Sequence, residues 1–418
     1  MMNIMNNILF YHKTFMRNRS FVSNFKNVCF LNKHIPTNTK MKISYHKDKV
    51  IFNYKPIKSS QSIVGYWLLT CSGMVFIAVS LRGITRLTES GLSMVSWTLF
   101  GEKVPTTEIS WIDEFKNYKQ FPEYQISNKN MTLEEFKRIW WMEYAHRMWG
   151  RLIGVVFIVP AVYFWFNNML NPVTKKRILI LGTLIGCQGL MGWYMVKSGL
   201  ENRFDGPTDV PRVSQYRLAA HLGLAIFIYS GLLYTTLDQL IPVRSNTNNY
   251  NTSELKPTIK YNNRFRILAF SSKGLIFLTA LSGAFVAGLD AGLIYNTFPK
   301  MCNKWIPDDI LFMSPLYKNL TENPTTVQFN HRTLGMSTLL AVSAISWMSR
   351  KCNLPRRAST AVIVLTCAAY TQAILGIFTL LNHVPTYLAA LHQSGSLLLL
   401  SSAIWLCHEI KYIKKLAK

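Results

Sequence analysis

Residues 143–151 read Glu-Tyr-Ala-His-Arg-Met-Trp-Gly-Arg, and residues 152–170 that follow are 19 positions without a charged side chain. A helix needs roughly 20 apolar residues to cross the hydrocarbon core of a bilayer, so His146 stands at the mouth of a membrane span. The same grammar recurs three times. His221 closes Arg217-Leu218-Ala219-Ala220-His221, His331 lies in Gln328-Phe329-Asn330-His331-Arg332, and His392 closes Leu388-Ala389-Ala390-Leu391-His392, each leading an apolar run. Such runs lie at 63–81, 152–170, 178–196, 218–237, 274–289, 334–348, 361–381 and 388–407, which predicts an all-α polytopic membrane protein of eight transmembrane helices.

Composition agrees. Of 418 residues, 49% are hydrophobic and only 16% charged, where soluble domains carry about 25% charged residues. The net charge of +26 does not point to nucleic acid, because it is explained by position. Residues 1–60 hold eleven Lys/Arg against the single acid Asp48 and contain no apolar run of signal-peptide length, the pattern of a mitochondrial presequence. A basic tail on the cytoplasmic side is the plainer alternative. The seven cysteines form no C-x-x-C and no C-x-x-C-H, which argues against a disulfide framework and against covalent haem attachment.

Basic residues in the connections set the orientation. Lys175, Lys176 and Arg177 follow the second span, and Arg350, Lys351, Arg356 and Arg357 follow the sixth. The alternate connections are balanced, with eight basic and eight acidic residues over 82–138. Both termini are therefore expected in the matrix, with all four histidines near the intermembrane-space face.

The chain also repeats itself. Gln188-Gly189-Leu190-Met191-Gly192 matches Gln372-Ala373-Ile374-Leu375-Gly376, and Ser72-Gly73 matches Ser282-Gly283. Each unit has four spans, so the two units share one orientation, as in parallel repeats. Helices of a four-helix bundle can present two imidazoles to opposite faces of a porphyrin, and neutral imidazole is a good iron ligand. One isolated histidine would more readily be a hydrogen-bonding group between helices; four at equivalent repeat positions favour two haem sites, with His146, His221, His331 and His392 as iron ligands. His383 and His408 lack repeat partners and read as structural. Arg147, Arg217 and Arg332, close to these histidines, are candidate partners for haem propionates, with interfacial snorkelling as the alternative.

One position breaks the symmetry. Glu143 lies three residues before His146, where the second unit has Gln328. Only the first unit thus offers an ionisable group beside its histidine, as general base or as stabiliser of developing positive charge. Helix capping is the bland reading. Chemistry is therefore expected in the first unit and electron storage or relay in the second.

At these residues, in EYAHRMWGR (143–151), VSQYRLAAH (213–221), GLDAGLIYNTFPKM (288–301) and QAILGIFTLLNHVPTYLAALHQ (372–393), the chain resembles the haem A synthase family, in its mitochondrial and proteobacterial branch. The resemblance runs from about residue 62 to 408. It implies eight helices in two pseudo-symmetric four-helix bundles and oxidation of the C8 methyl of haem O to a formyl, giving haem A for cytochrome c oxidase. It further implies His146 and His221 as the substrate-haem pair, Glu143 as the catalytic carboxylate, and His331 and His392 as holders of a haem b cofactor. A ferredoxin-type electron donor is implied on the matrix side; haem O synthase and further copies of the chain are additional candidate partners.

The organisation expected is a presequence or tail (1–60), a catalytic bundle (61–240), a matrix linker (241–266), a haem b bundle (267–410) and a basic tail (411–418), in the mitochondrial inner membrane. The segment from 117 to 131 carries no strong family signal, and residues 83–140 hold no cysteine, which disfavours thiol chemistry in that loop. Two other classes compete. A diheme bis-histidine cytochrome that only transfers electrons would use Glu143 as a helix cap. A repeat-built transporter would place its histidines near the midplane at broken helices, not near one face.

Overall fold

The computed structural model describes residues 52–54, 59–98, 101–201, 213–241, 244–246, 255–352 and 354–411. All of the 1–60 presequence expectation except residues 52–54 and 59–60, nearly all of the basic tail 411–418 and most of the 241–254 stretch lie outside the described residues. Phe52–Lys418 forms one compact unit.

Eight long helices dominate it: α1 (Ser59–Leu87), α3 (Leu133–Phe166), α4 (Pro172–Gly199), α5 (Gln215–Leu240), α6 (Leu255–Gly288), α7 (Pro324–Ser349), α8 (Arg356–Leu381) and α9 (Thr386–Ile410). A short α2 (Glu108–Tyr118) precedes α3. Seven of the long helices are long and apolar enough to cross a membrane. The exception is α7, whose apolar stretch is diluted by Ser337, Thr338, Ser343 and Ser346 and preceded closely by Arg332.

Helix starts follow local chemistry. Thr132 and Glu135 form a reciprocal capping box at α3, as Thr107 and Ser110 do at α2. Asn171 and Asn323 cap α4 and α7, each followed by a proline at the first helical position, where a missing N–H costs nothing. Two features were not expected from the sequence. α6 begins at Leu255, inside the anticipated linker. Strands β1 (Phe52–Tyr54) and β2 (Arg244–Asn246) pair antiparallel, tying the entry of α1 to the exit of α5.

In the packing, α1 touches α3 and α5, α4 touches α3 and α5, and a corresponding set of contacts joins α6, α7, α8 and α9. The two sets meet through α1, α5, α6 and α9. Burial follows this plan: half of the apolar window of α1 and of α5 is buried, against 17% for α3 and α4. The outward faces of α3 and α4 carry Val155, Ile158, Val162, Leu179 and Leu190 exposed, which is what lipid-facing helices need.

Polar groups at the central seam are satisfied across it. Ser80 and Ser394 hydroxyls lie 2.8 Å apart, Gln393 Nε2 donates to the Val79 carbonyl at 2.7 Å, and Tyr229 and Ser401 hydroxyls are 2.6 Å apart. Gly83 has no side chain because Gln393 fills that space; a Cβ there would lie 2.3 Å from its Oε1. At one end of the seam Arg86 bonds Asp290 at 2.8 Å. At the other, Asp238 accepts from Arg177 at 2.6 Å, lies 2.9 Å from His408 Nε2 and pairs with Lys411. His408 thus has a structural partner on α5.

The segment before α3 has its own core. Trp111, Phe115, Tyr118, Phe136 and Trp140 are buried together, with Trp111 and Trp140 edge-to-face at 5.1 Å. Tyr118 donates to the buried Glu123 at 3.0 Å, and Asn128 Nδ2 donates to Tyr118. The polar stretch at 117–131 therefore carries packed anchors despite its composition.

Candidate functional site

All four motif histidines lie in the N-terminal halves of α3, α5, α7 and α9. They do not all open their helices. His221, His331 and His392 stand six or seven residues after the helix start, but α3 begins at Leu133, thirteen before His146. The capping box at Thr132 and the aromatic cluster on Phe136 and Trp140 extend that helix, which no periodicity in 152–170 reveals.

In the second half the imidazoles of His331 and His392 face each other with ring centroids 6.3 Å apart and planes at 87°. A metal lies about 2 Å from an imidazole nitrogen it binds, so one ion between two facing rings needs centroids about 6 Å apart. Each ring is held. Ser282 Oγ lies 2.7 Å from His331 Nδ1 and donates its proton to the Thr279 carbonyl at 2.7 Å. The ring therefore donates from Nδ1, a tautomer assigned from this network, which leaves the Nε2 lone pair free for a metal. Gln372 Nε2 donates to the carbonyl of His392 at 2.7 Å and lies 3.0 Å from its Nδ1. Gly283 and Gly376 make room for the rings; a Cβ would stand 3.3 Å from His331 Cε1 and 2.7 Å from His392 Cε1.

The first half repeats the cradle with fewer constraints. Gln188 Nε2 donates to the His221 carbonyl at 3.0 Å, and a Cβ on Gly192 would lie 3.2 Å from His221 Cε1. Yet Nδ1 of His146 and Nδ1 of His221 are buried with no hydrogen-bond partner. Ser72, the counterpart of Ser282, turns to Tyr229. Gly73 has open space where Gly283 meets a ring.

Arg147, beside the first of these histidines, plays a different part from the one expected. Arg147 donates from Nε and Nη2 to Glu143 Oε1 (3.0 and 2.7 Å), from Nη2 to the Met94 carbonyl, and from Nη1 to the Ser96 carbonyl and Glu102. A guanidinium has five N–H donors, so none remains for a propionate. Arg332 bonds neutral partners, the Tyr295 and Thr297 carbonyls at 2.7 and 2.8 Å and Gln328 Oε1 at 3.1 Å, and its buried Nε has no partner. Arg217 lies over the ring of Tyr194, 5.2 Å from its centroid.

Glu143 is only 2% exposed. Besides Arg147, its Oε2 accepts from Ser93 Oγ at 2.8 Å and from the Met94 N–H at 2.9 Å. Four donors hold a fixed, desolvated carboxylate beside His146, which suits electrostatic stabilisation better than proton shuttling. Gln328, 3% exposed, instead donates to the Ala291 and Tyr295 carbonyls.

Among the described residues no group of three or more His, Cys, Asp or Glu could hold a metal ion by itself. Two imidazoles per site, glycine-lined and with a free lone pair at His331, instead suit an ion whose other donors come from a planar macrocycle, as the axial histidines of haem do. The residues fit that group. The six described cysteines are all free.

A sequence profile described as "Cytochrome oxidase assembly protein" matches residues 65–404. The chain belongs to this cytochrome oxidase assembly family. Its matched region contains all four histidines and Glu143. Relatives include "Heme A synthase COX15" of Homo sapiens, 54% identical over 361 residues that cover 86% of this chain and 85% of the relative. The Saccharomyces cerevisiae protein of the same name is 41% identical over 375 residues, covering 85% and 76%. "Heme A synthase" of Nitrosospira multiformis is 43% identical over 356 residues, covering 84% and 94%.

Ser282, Gln188 and Gln372 were not singled out as functional from the sequence, although each stands in a stretch that marks the repeat. Their signal is the repeat itself: Gln188 and Gln372 each stand four residues before a glycine, on the same helix face, and Ser282 directly precedes Gly283 as Ser72 precedes Gly73.

Proposed function

We propose that the chain is a haem A synthase, oxidising the C8 methyl of haem O to a formyl for cytochrome c oxidase assembly. Support comes from family membership, from relatives carrying that name, and above all from two imidazole-lined sites of which one alone has a carboxylate. In this reading His146 and His221 hold the substrate haem, and His331 and His392 hold a haem b that relays electrons. The haem iron, when bound, supplies the redox chemistry. Each hydroxylation would replace one C–H of the methyl by C–OH, with dioxygen as oxidant and oxygen source, its second oxygen atom leaving as water with two electrons from the donor, and the hydrate formed by the second would lose water to leave the aldehyde.

The chain's own residues orient and polarise. Glu143, fixed by Arg147, Ser93 and the Met94 N–H, presents a negative charge that stabilises positive charge developing on the substrate. Arg147 and Arg332 hold the outer loops against α3 and α7. The Gln188 and Gln372 amides pin the backbones of His221 and His392.

The same reading treats α7 as an eighth span and 61–240 and 267–410 as two four-helix bundles, supported by the matching cycles of helix contacts. It places the protein in the mitochondrial inner membrane with both termini in the matrix, supported by the basic connections. A ferredoxin-type donor would meet the basic matrix side, where Lys175 and Lys176 lie; haem O synthase and a second copy of the chain are further partners.

The test is expression in bacteria that make haem O but not haem A, followed by extraction and mass spectrometry of the haems. Haem A or its hydroxylated intermediate is expected. Haem b alone, in folded protein with an intact electron donor, would favour a cytochrome that only transfers electrons.

A further inference from the structure

Arg82 sits near the outer end of α1, is only 8% exposed, and has no carboxylate partner. Its Nη2 reaches the weakly accepting sulfur of Met195 at 3.9 Å, and its Nε is buried without any partner. An ionised side chain left so in a membrane protein is costly unless something pairs with it. Protein anions nearby are engaged. Both oxygens of Glu143 are taken by Arg147, Ser93 and the Met94 N–H. Asp290 is bonded by Arg86, one helical turn on.

The location is specific. Met195, which Arg82 reaches, stands three residues past Gly192, where a Cβ would lie 3.2 Å from His221 Cε1, so the guanidinium lies along the helix that lines the first-half site. Gly91, in the turn after α1, comes so close that a Cβ would lie 2.9 Å from Arg82 Nη1, so the chain closes directly over the guanidinium. Among the described residues, the matching position of the second half, nine past Gly283, is Gly292. α1 runs on to Leu87, fourteen residues past Gly73, but α6 ends at Gly288, five past Gly283. The extra turns of α1 carry Arg82.

We propose that Arg82 binds a carboxylate of the ligand held by His146 and His221, a ring propionate of the substrate haem. This rests on the haem reading above. A guanidinium takes a carboxylate by two parallel N–H donors, and Arg147, with every donor engaged, cannot do so. The residue thereby distinguishes the site that must accept and release substrate from the one that keeps its haem.

The test uses the full-length protein purified with its haems, comparing wild type with Arg82→Gln and Arg82→Lys. Haem release to excess apomyoglobin is followed by absorbance, and the first-site contribution is identified by difference from His146→Ala. The first site is then reloaded with iron protoporphyrin IX or its dimethyl ester. Losing a charge-assisted hydrogen bond should speed first-site release on the order of tenfold to a hundredfold in Arg82→Gln. Arg82→Lys should lie between, and release from the His331–His392 site should not change. The dimethyl ester should leave wild type as fast as the free acid leaves Arg82→Gln, and the variant should gain nothing further from esterification.

Equal release of free acid and ester from wild type would overturn the proposal even if Arg82→Gln failed to fold. So would an Arg82→Gln effect that persists with the ester, which would assign the guanidinium to another anion such as a lipid phosphate. A wild-type protein lacking a second bis-imidazole haem spectrum would instead remove the haem reading itself.

Discussion

The two halves of this molecule build the same corner with different chemistry. In the first, Arg147 bridges two loop carbonyls, Met94 and Ser96, and a carboxylate, Glu143. In the second, Arg332 bridges the carbonyls of Tyr295 and Thr297 and an amide, Gln328. The loops are matched to the side chain. The first offers donors, Ser93 Oγ and the Met94 N–H; the second offers acceptors, the Ala291 and Tyr295 carbonyls. The imidazoles diverge in the opposite sense: both second-half Nδ1 atoms have a polar neighbour, and both first-half Nδ1 atoms have none. One half holds its rings and lacks a charge. The other holds a charge and leaves Nδ1 of both rings unpaired, with Gln188 Nε2 3.4 Å from His221 Nε2.

The largest perturbation of this contrast should be Gly376→Ala. A methyl 2.7 Å from His392 Cε1 must displace the ring, so the second-half bis-imidazole spectrum should be lost and the first-half spectrum kept. Gly192→Ala and Gly283→Ala, at 3.2 and 3.3 Å, should perturb their sites less. Loss of both spectra in Gly376→Ala would mean that the halves are not independent sites.

Next is Gln328→Glu. It would set a carboxylate against two carbonyls that now receive amide protons, and should cost about 1–3 kcal/mol in thermal or denaturant unfolding. It should not transfer activity to the second half, because the loop there presents no donors to a carboxylate. Ser282→Ala should weaken second-site haem binding by about tenfold, the scale of second-shell losses around metal-bound histidine. Its redox titration should move to higher potential, since an imidazole that no longer donates from Nδ1 is a poorer ligand for ferric iron. Ser72→Ala should leave the first site unchanged; an equal effect there would erase the proposed difference.

The smallest effect concerns the aromatic cap over the first half, which the second half lacks. Burial pushes Glu123 up to about 8, against the lowering effect of the hydrogen bond from Tyr118. With the folded value above the unfolded one, the folded cap binds the extra proton. Its stability is full below about pH 4.3, the ordinary glutamate value, and falls as pH rises toward 8. Amide hydrogen exchange over 108–140, corrected for its intrinsic pH dependence, should show more protection at low pH. Glu123→Gln should abolish that dependence.

Much of this was legible in the sequence because it is local or repeated. Charge-free runs mark the long helices, and the spacing of Gln188, Gly192, Gln372 and Gly376 marks the duplication. The exchange of Glu143 for Gln328 is visible at once. What escaped is set by partners far along the chain. Arg147 and Arg332 look free beside their histidines, but three of the five donors of Arg147 are claimed by residues 45 to 53 positions away. The early start of α3 depends on packing against Trp111 and Phe115, and the pairing of β1 with β2 joins segments that the membrane helices separate. Arg82 reads as an ordinary helix-end cation; only burial without an anion singles it out.

The measurement that bears most directly on the division of labour is the haem content of Glu143→Gln in bacteria that make haem O. Gln keeps the shape and removes the charge, as Gln328 does in the second half. Expected are both bis-imidazole spectra at wild-type stoichiometry and haem A reduced on the order of 100-fold or more, the scale of removing a transition-state stabiliser. Haem A at the wild-type level would contradict a catalytic first half defined by its carboxylate.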